Sequence, residues 1–108
     1  MKKVFVYGTL KKGRSLNPYY MENSKYIKQD TVKGELYSLG SYPALVEGKE
    51  DVPGEIFEMP IDDFEKVKKM EEDARYFTQE VETESGIKVM AFFQKSSDIN
   101  SNIKIKIW

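Results

Sequence analysis

One stretch of this chain carries a clear helical period. Ile61, Phe64, Val67 and Met70 recur three residues apart with acids and lysines between them, the pattern of a helix with one buried face. Asp62 and Asp63 stand in its first turn, where the helix dipole favours negative charge. The helix should end near residues 71–73. Most of the remaining apolar runs are short or alternating, as strands are. The chain therefore has to fold as a sheet with one main helix laid against it.

The strand candidates follow from residue type. Val4 to Tyr7 is a buried-type run rich in β-branched and aromatic residues. Thr31 to Ser38 reads as a strand with a bulge or close approach at Gly34. Ala44 to Val46 is a short apolar strand closed by Glu47-Gly48-Lys49, and Val52 to Met59 is another. Tyr76 to Thr83 and Ile87 to Gln94 flank Glu84-Ser85-Gly86 and read as a hairpin. Ile87, Val89, Ala91 and Phe93 share one face; Met90 and Phe92 suggest that the other face is partly covered too. Ile103, Ile105 and Ile107 alternate with Lys104 and Lys106 as a one-faced edge strand before Trp108, after a polar connector at 96–102. A short helix within 19–28 completes the reading. The order predicts an α+β class with a closed or nearly closed sheet, one main helix and short helices. At 108 residues the chain fits a single domain, residues 1–108.

Absent residue types narrow the chemistry. There is no cysteine and no histidine, which excludes disulfides, thiolate chemistry and the commonest metal ligands. Proton transfer then falls to a carboxylate, lysine, tyrosine or water. Net charge is −1, so no global field draws the chain to nucleic acid or to an anionic membrane. No apolar run approaches the roughly 20 residues of a membrane span. The start is too short in apolar residues for a secretory signal, and the expected compartment is the cytoplasm.

Three stretches are candidates for chemistry. Tyr7-Gly8-Thr9-Leu10 ends the first strand without an ordinary polar turn. Glycine there permits positive φ and close approach of main chain to a ligand, and successive amides beyond a strand end suit a carboxylate or an oxyanion. The plainer reading is a turn glycine beside a core tyrosine. At the helix end, Met70-Glu71-Glu72-Asp73 places Glu71 about 100° from Met70, at the margin of the buried face. Burial and the negative end of the helix dipole would both raise such a carboxyl group toward the range useful for proton transfer. The plainer reading is a solvated acidic helix end. Gly40-Ser41-Tyr42-Pro43-Ala44-Leu45-Val46 is turn leading into strand.

In this order the stretches are more specific than they are alone. Tyr7-Gly8-Thr9-Leu10, then Leu36 to Val46, then Val52-Pro53-Gly54-Glu55-Ile56-Phe57, then the helix to Glu71 and Tyr76 resemble the γ-glutamylcyclotransferase-like (AIG2-like) family over residues 2–94. The small γ-glutamylamine cyclotransferase-type members look most similar. The resemblance implies a small mixed β-barrel with helices outside and a cavity that releases 5-oxoproline from a γ-glutamyl amine or peptide. It implies no metal and no organic cofactor, and a small-molecule γ-glutamyl substrate as the partner. Carried over, Glu71 is the catalytic acid/base. The amides of Gly8, Thr9 and Leu10 hold the substrate carboxylate or oxyanion, and the rings of Tyr7, Tyr42 and Tyr76 wall the cavity. Three features depart from the pattern. An arginine common shortly after the family's tyrosine is absent; Phe77-Thr78-Gln79 stand there and Arg75 precedes instead. Glu72 stands where the family often has glycine, so Glu71 or Glu72 aligns with the acid, the apolar register favouring Glu71. The family's tyrosine aligns with Tyr76 or with Phe77. The alternatives are a non-catalytic module of the same fold holding an amino-acid-like ligand, and an interaction domain using the isoleucine edge.

Overall fold

The computed structural model describes residues 1–99 and 103–108. Its elements are β1 (Lys2–Val6), α1 (Asn17–Tyr20), β2 (Lys25–Ser38), β3 (Pro43–Met59), α2 (Ile61–Asp73), β4 (Phe77–Glu82), β5 (Lys88–Phe93) and β6 (Lys104–Ile105), with a 3-10 turn at Ser96–Asp98. They build one six-stranded mixed sheet of order β4-β5-β1-β3-β2-β6. β1 lies antiparallel to β3 and parallel to β5, as a central strand buried on both faces should.

That double burial divides the core. Val4 and Val6 point to the side covered by α2, where they meet Phe57, Met59, Phe64, Val67 and Phe92. Phe5 and Tyr7 point to the other side and meet Leu36, Leu45, Ile56, Val89 and Phe93. β5 alternates in the same way: Val89, Ala91 and Phe93 face one cluster and Phe92 the other, with Met90 half-buried beside it.

The sheet stays open between its edge strands β4 and β6, so it is a barrel only in its curl. The curl is visible where the β4–β5 turn reaches β2, a strand three places from β5. The Glu84 amide donates to the Thr31 carbonyl at 2.9 Å, and the Ser85 amide reaches Asp30 Oδ1 at 3.3 Å.

Several boundaries differ from the sequence reading. The short helix expected within 19–28 is α1, a single turn at Asn17–Tyr20, and β2 already begins at Lys25. A register shift between Tyr26 and Lys28, and the exposure of this part of β2, hide the two-residue period there. Residues 44–46 and 52–59 belong to one long strand. The register jumps from Gly34 opposite Glu50 to Glu35 opposite Val46, so Glu47-Gly48-Lys49 is a bulge within β3. The irregularity expected at Gly34 is present as the β3 bulge opposite it and as a close approach: a Cβ at Gly34 would stand 2.7 Å from the Leu45 side chain. β6 is only two residues long. Ile105 packs on the core while Ile103 and Ile107 are exposed, as is Ile61 at the start of α2. Part of the connector at 96–102 lies outside the described residues.

Candidate active site

α2 places its last turn by packing. Phe64 and Val67 are buried, Phe64 stacks on Phe92 with ring centroids 6.5 Å apart, and Met70 is half-buried against the same cluster. Glu71 comes next, at the edge of that face. The helix then ends in a Schellman motif. The Tyr76 amide donates to the Glu71 carbonyl at 2.9 Å and the Arg75 amide to the Glu72 carbonyl at 3.0 Å. The motif needs a left-handed residue, and Arg75 supplies it with φ 73°. This turn fixes Tyr76 relative to Glu71 through the main chain.

Opposite stands the segment after β1. The Gly8 carbonyl accepts from the Lys11 amide, the Thr9 carbonyl from the Leu16 amide, each at 3.0 Å, and the Leu10 carbonyl from Asn17 Nδ2 at 2.9 Å. The carbonyls are thus tied down. Among the described residues the amides of Gly8, Thr9 and Leu10 donate to no protein group. Gly8 does not take the positive φ that its identity suggested. It is required for space: a Cβ there would stand 2.6 Å from the Pro43 ring. Pro43 in turn accepts a 2.5 Å hydrogen bond from the Tyr76 hydroxyl through its carbonyl. The three stretches singled out in the sequence meet at this junction.

They enclose a cavity of about 360 Å³. Tyr7, Gly8, Thr9 and Leu10 line one side; Glu71 and Tyr76 line another; Tyr42 lines it too, and is exposed. Glu72 is exposed and Phe77 stacks on Phe93, ring centroids 5.9 Å apart; neither lines the cavity. Further lining comes from Leu16, Pro43, Met70 and Phe92, with Ser15 and Ser41 at the exposed rim. Of these, Phe92 was legible only as a core residue. Leu16 lies in a loop whose shape no periodicity reports.

The electrostatics follow from this enclosure. Among the described residues Glu71 is the one charged residue lining the cavity, and burial raises its carboxyl pKa to about 7. Its carboxylate has no hydrogen-bond or ionic partner among the described residues. Tyr7 and Tyr76 are held neutral: burial raises both hydroxyls, and so does the Glu71 charge. The Tyr7 hydroxyl donates to the Phe92 carbonyl at 2.6 Å and accepts from the Leu45 amide at 3.3 Å, so it offers the cavity its ring. Among the described residues no group of three or more Asp or Glu could hold a metal ion. Among the described residues this leaves a carboxyl group without a partner, raised to about 7, in a cavity lined also by Gly8, Thr9 and Leu10.

The family model for gamma-glutamyl cyclotransferase, AIG2-like proteins matches residues 4–107. The chain belongs to that family. A Vibrio cholerae protein provisionally named gamma-glutamylcyclotransferase is 34% identical over 97% of this chain and 93% of its own length. The solved structure of a Pyrococcus horikoshii protein superposes with a TM-score of 0.82 at 27% identity, covering 98% of this chain and 86% of that one. A mouse AIG2-like protein shares the fold, with a TM-score of 0.80 at 18% identity over 100% of this chain and 88% of its own. The cavity of this γ-glutamylcyclotransferase-family chain thus lies where the end of α2 meets the segment after β1. No helix among its described residues is long and apolar enough to cross a membrane.

Proposed function

We propose that the protein is a γ-glutamyl cyclotransferase that releases 5-oxoproline by intramolecular aminolysis, with Glu71 as general acid/base. The observation that carries this reading is the half-buried Glu71 carboxyl group, raised to about 7 and unpartnered among the described residues, in a cavity lined also by Gly8, Thr9 and Leu10, whose amides donate to no described protein group. A group titrating near the working pH serves both halves of a proton relay.

The γ-glutamyl arm enters with its α-carboxylate on the amides of Gly8, Thr9 and Leu10. The Glu71 carboxylate takes a proton from the α-ammonium group. The freed nitrogen attacks the γ-carbonyl carbon, forming the lactam C–N bond and a tetrahedral oxyanion. Collapse of that intermediate breaks the bond to the leaving nitrogen; protonated Glu71 returns its proton there, and the second proton of the attacking nitrogen passes to the same amine, which departs as its ammonium. The products are 5-oxoproline and that ammonium, and no cofactor enters the balance. Catalysis is largely conformational: the cavity walls, Tyr7, Tyr42 and Tyr76 among them, fold a flexible arm into an attack geometry.

The test is 5-oxoproline release from a panel of γ-glutamyl amines and peptides. Turnover by the wild type, roughly 10²–10⁴-fold lower in Glu71→Gln and little changed in Glu72→Gln, is expected. No turnover on any member, with ligand binding intact, would favour a non-catalytic binding module instead.

A further inference from the structure

Residues 8–16 lend the cavity Gly8, Thr9 and Leu10 yet belong to no strand or helix. Their main-chain hydrogen bonds close largely on the segment itself: Lys11 to Gly8, Arg14 to Lys11, Leu16 to Thr9. Its place against the sheet therefore depends on what holds it from elsewhere. Among the described residues, hydrogen bonds from distant parts of the chain come from two places. In β3, Glu55 Oε1 accepts from the Lys12 amide at 2.7 Å. The second place is Trp108, whose main-chain oxygen accepts from Lys11 Nζ at 3.0 Å and from Arg14 Nη2 at 2.8 Å. The Trp108 indole also stands beside Gly8: a Cβ built there would meet Trp108 Cδ1 at 3.9 Å as well as the Pro43 ring. Burial and the Arg14 charge both lower the Lys11 pKa, and an acceptor between the two cations offsets both effects. Trp108 is half-buried here, three residues beyond Ile105, which pairs with β2 and packs on the core.

We infer that Trp108 is a positioning residue of this site, a latch whose ring braces Gly8 and whose main-chain oxygen gathers Lys11 and Arg14. So held, the amides of Gly8, Thr9 and Leu10 are set for the substrate carboxylate. The inference rests on the cyclotransferase reading. Trp108 does not itself line the cavity, so it acts through the segment. Its loss should weaken binding of the glutamyl arm and spare the proton step at Glu71.

The test compares the full chain with Trp108→Ala, Trp108→Phe and the pair Lys11→Met with Arg14→Met, on a γ-glutamyl amine that the wild type turns over. Trp108→Ala and the cation pair should each raise KM roughly tenfold and change kcat less than about threefold, with the pH profile kept. Combined, they should cost well under the product of their separate effects, because both act through one latch. Trp108→Phe, which keeps a ring, should recover most of the loss. A merely destabilising role would lower the folded fraction, and so kcat, with KM unmoved. Trp108 is the chain's single tryptophan, so its emission reads the latch without substrate. The cation pair should shift that emission to the red in the folded protein, as the indole gains water. An unmoved KM in Trp108→Ala, full additivity, or unmoved emission would each overturn the inference and leave the cyclotransferase reading standing. No release by the wild type from any γ-glutamyl compound would sink that reading and this inference with it.

Discussion

At the scale of the residue, Glu71 is held at a cost. Its carboxyl group sits at about 7 because burial opposes ionisation. The sign of the linkage is definite. Below the ordinary glutamate range both folded and unfolded chains are protonated, and nothing is lost. Between about 4.5 and 7 the folded chain holds a proton that the unfolded chain has released, so stability falls as pH rises. Above 7 the full penalty is present, on the order of 2 kcal/mol once solvent access to the half-buried group is allowed for. Glu71→Gln should therefore be more stable than the wild type at pH 8, with the gap closing toward pH 4. Paired denaturant melts check this; a gap independent of pH would contradict it. Glu71 was legible because a helix period sets register: Met70 on the buried face puts the next residue at its margin. The role of Gly8 was legible only in part. Glycine marked a special backbone, but its need for space comes from Pro43, distant in sequence.

At the scale of the element, the end of α2 does more than stop a helix. The Schellman motif links the Glu71 carbonyl to the Tyr76 amide, and Tyr76 is hydrogen-bonded to Pro43 beside Gly8. Arg75 takes the left-handed position that glycine usually fills, which costs roughly 1–2 kcal/mol. Glycine would remove that strain but add roughly 0.5–1 kcal/mol of unfolded-state entropy. Arg75→Gly should thus be stabilising by about 0.5 kcal/mol, and Arg75→Val clearly destabilising, both read from urea melts. A gain from Val would refute the assignment of strain. The sequence did not announce this turn, because arginine carries no turn signal. The helix itself was legible nearly to the residue, and so was the β4–β5 hairpin, whose Gly86 has φ 84°. β2 was legible only from Thr31 onward, since its early part is exposed and out of register.

At the scale of the whole molecule, one side chain ties three strands. Tyr7 extends from the end of β1 and bonds β5 at Phe92 and β3 at Leu45. Tyr7→Phe leaves two buried main-chain groups short of a partner and should cost about 1–3 kcal/mol. An unchanged denaturation midpoint would show that the tie is dispensable. Such long-range closure is what sequence patterns report worst. The α+β class and the single main helix followed from periodicity, whereas the open edge between β4 and β6 depends on how far the sheet curls. That curl is set by contacts such as Glu84 to Thr31, which span over fifty residues of chain. The same closure brings segments near residues 8, 43, 71 and 76 around one cavity.

The central claim is that Glu71 moves the proton in that cavity, and the pH dependence of kcat/KM for 5-oxoproline release tests it most directly. For a good γ-glutamyl amine between pH 5 and 9, the account predicts an acid limb with a midpoint near 7, where the Glu71 carboxylate forms. In Glu71→Gln that limb should vanish and the rate stay low throughout. A wild-type midpoint near 4.5, or the same limb surviving in Glu71→Gln, would contradict it.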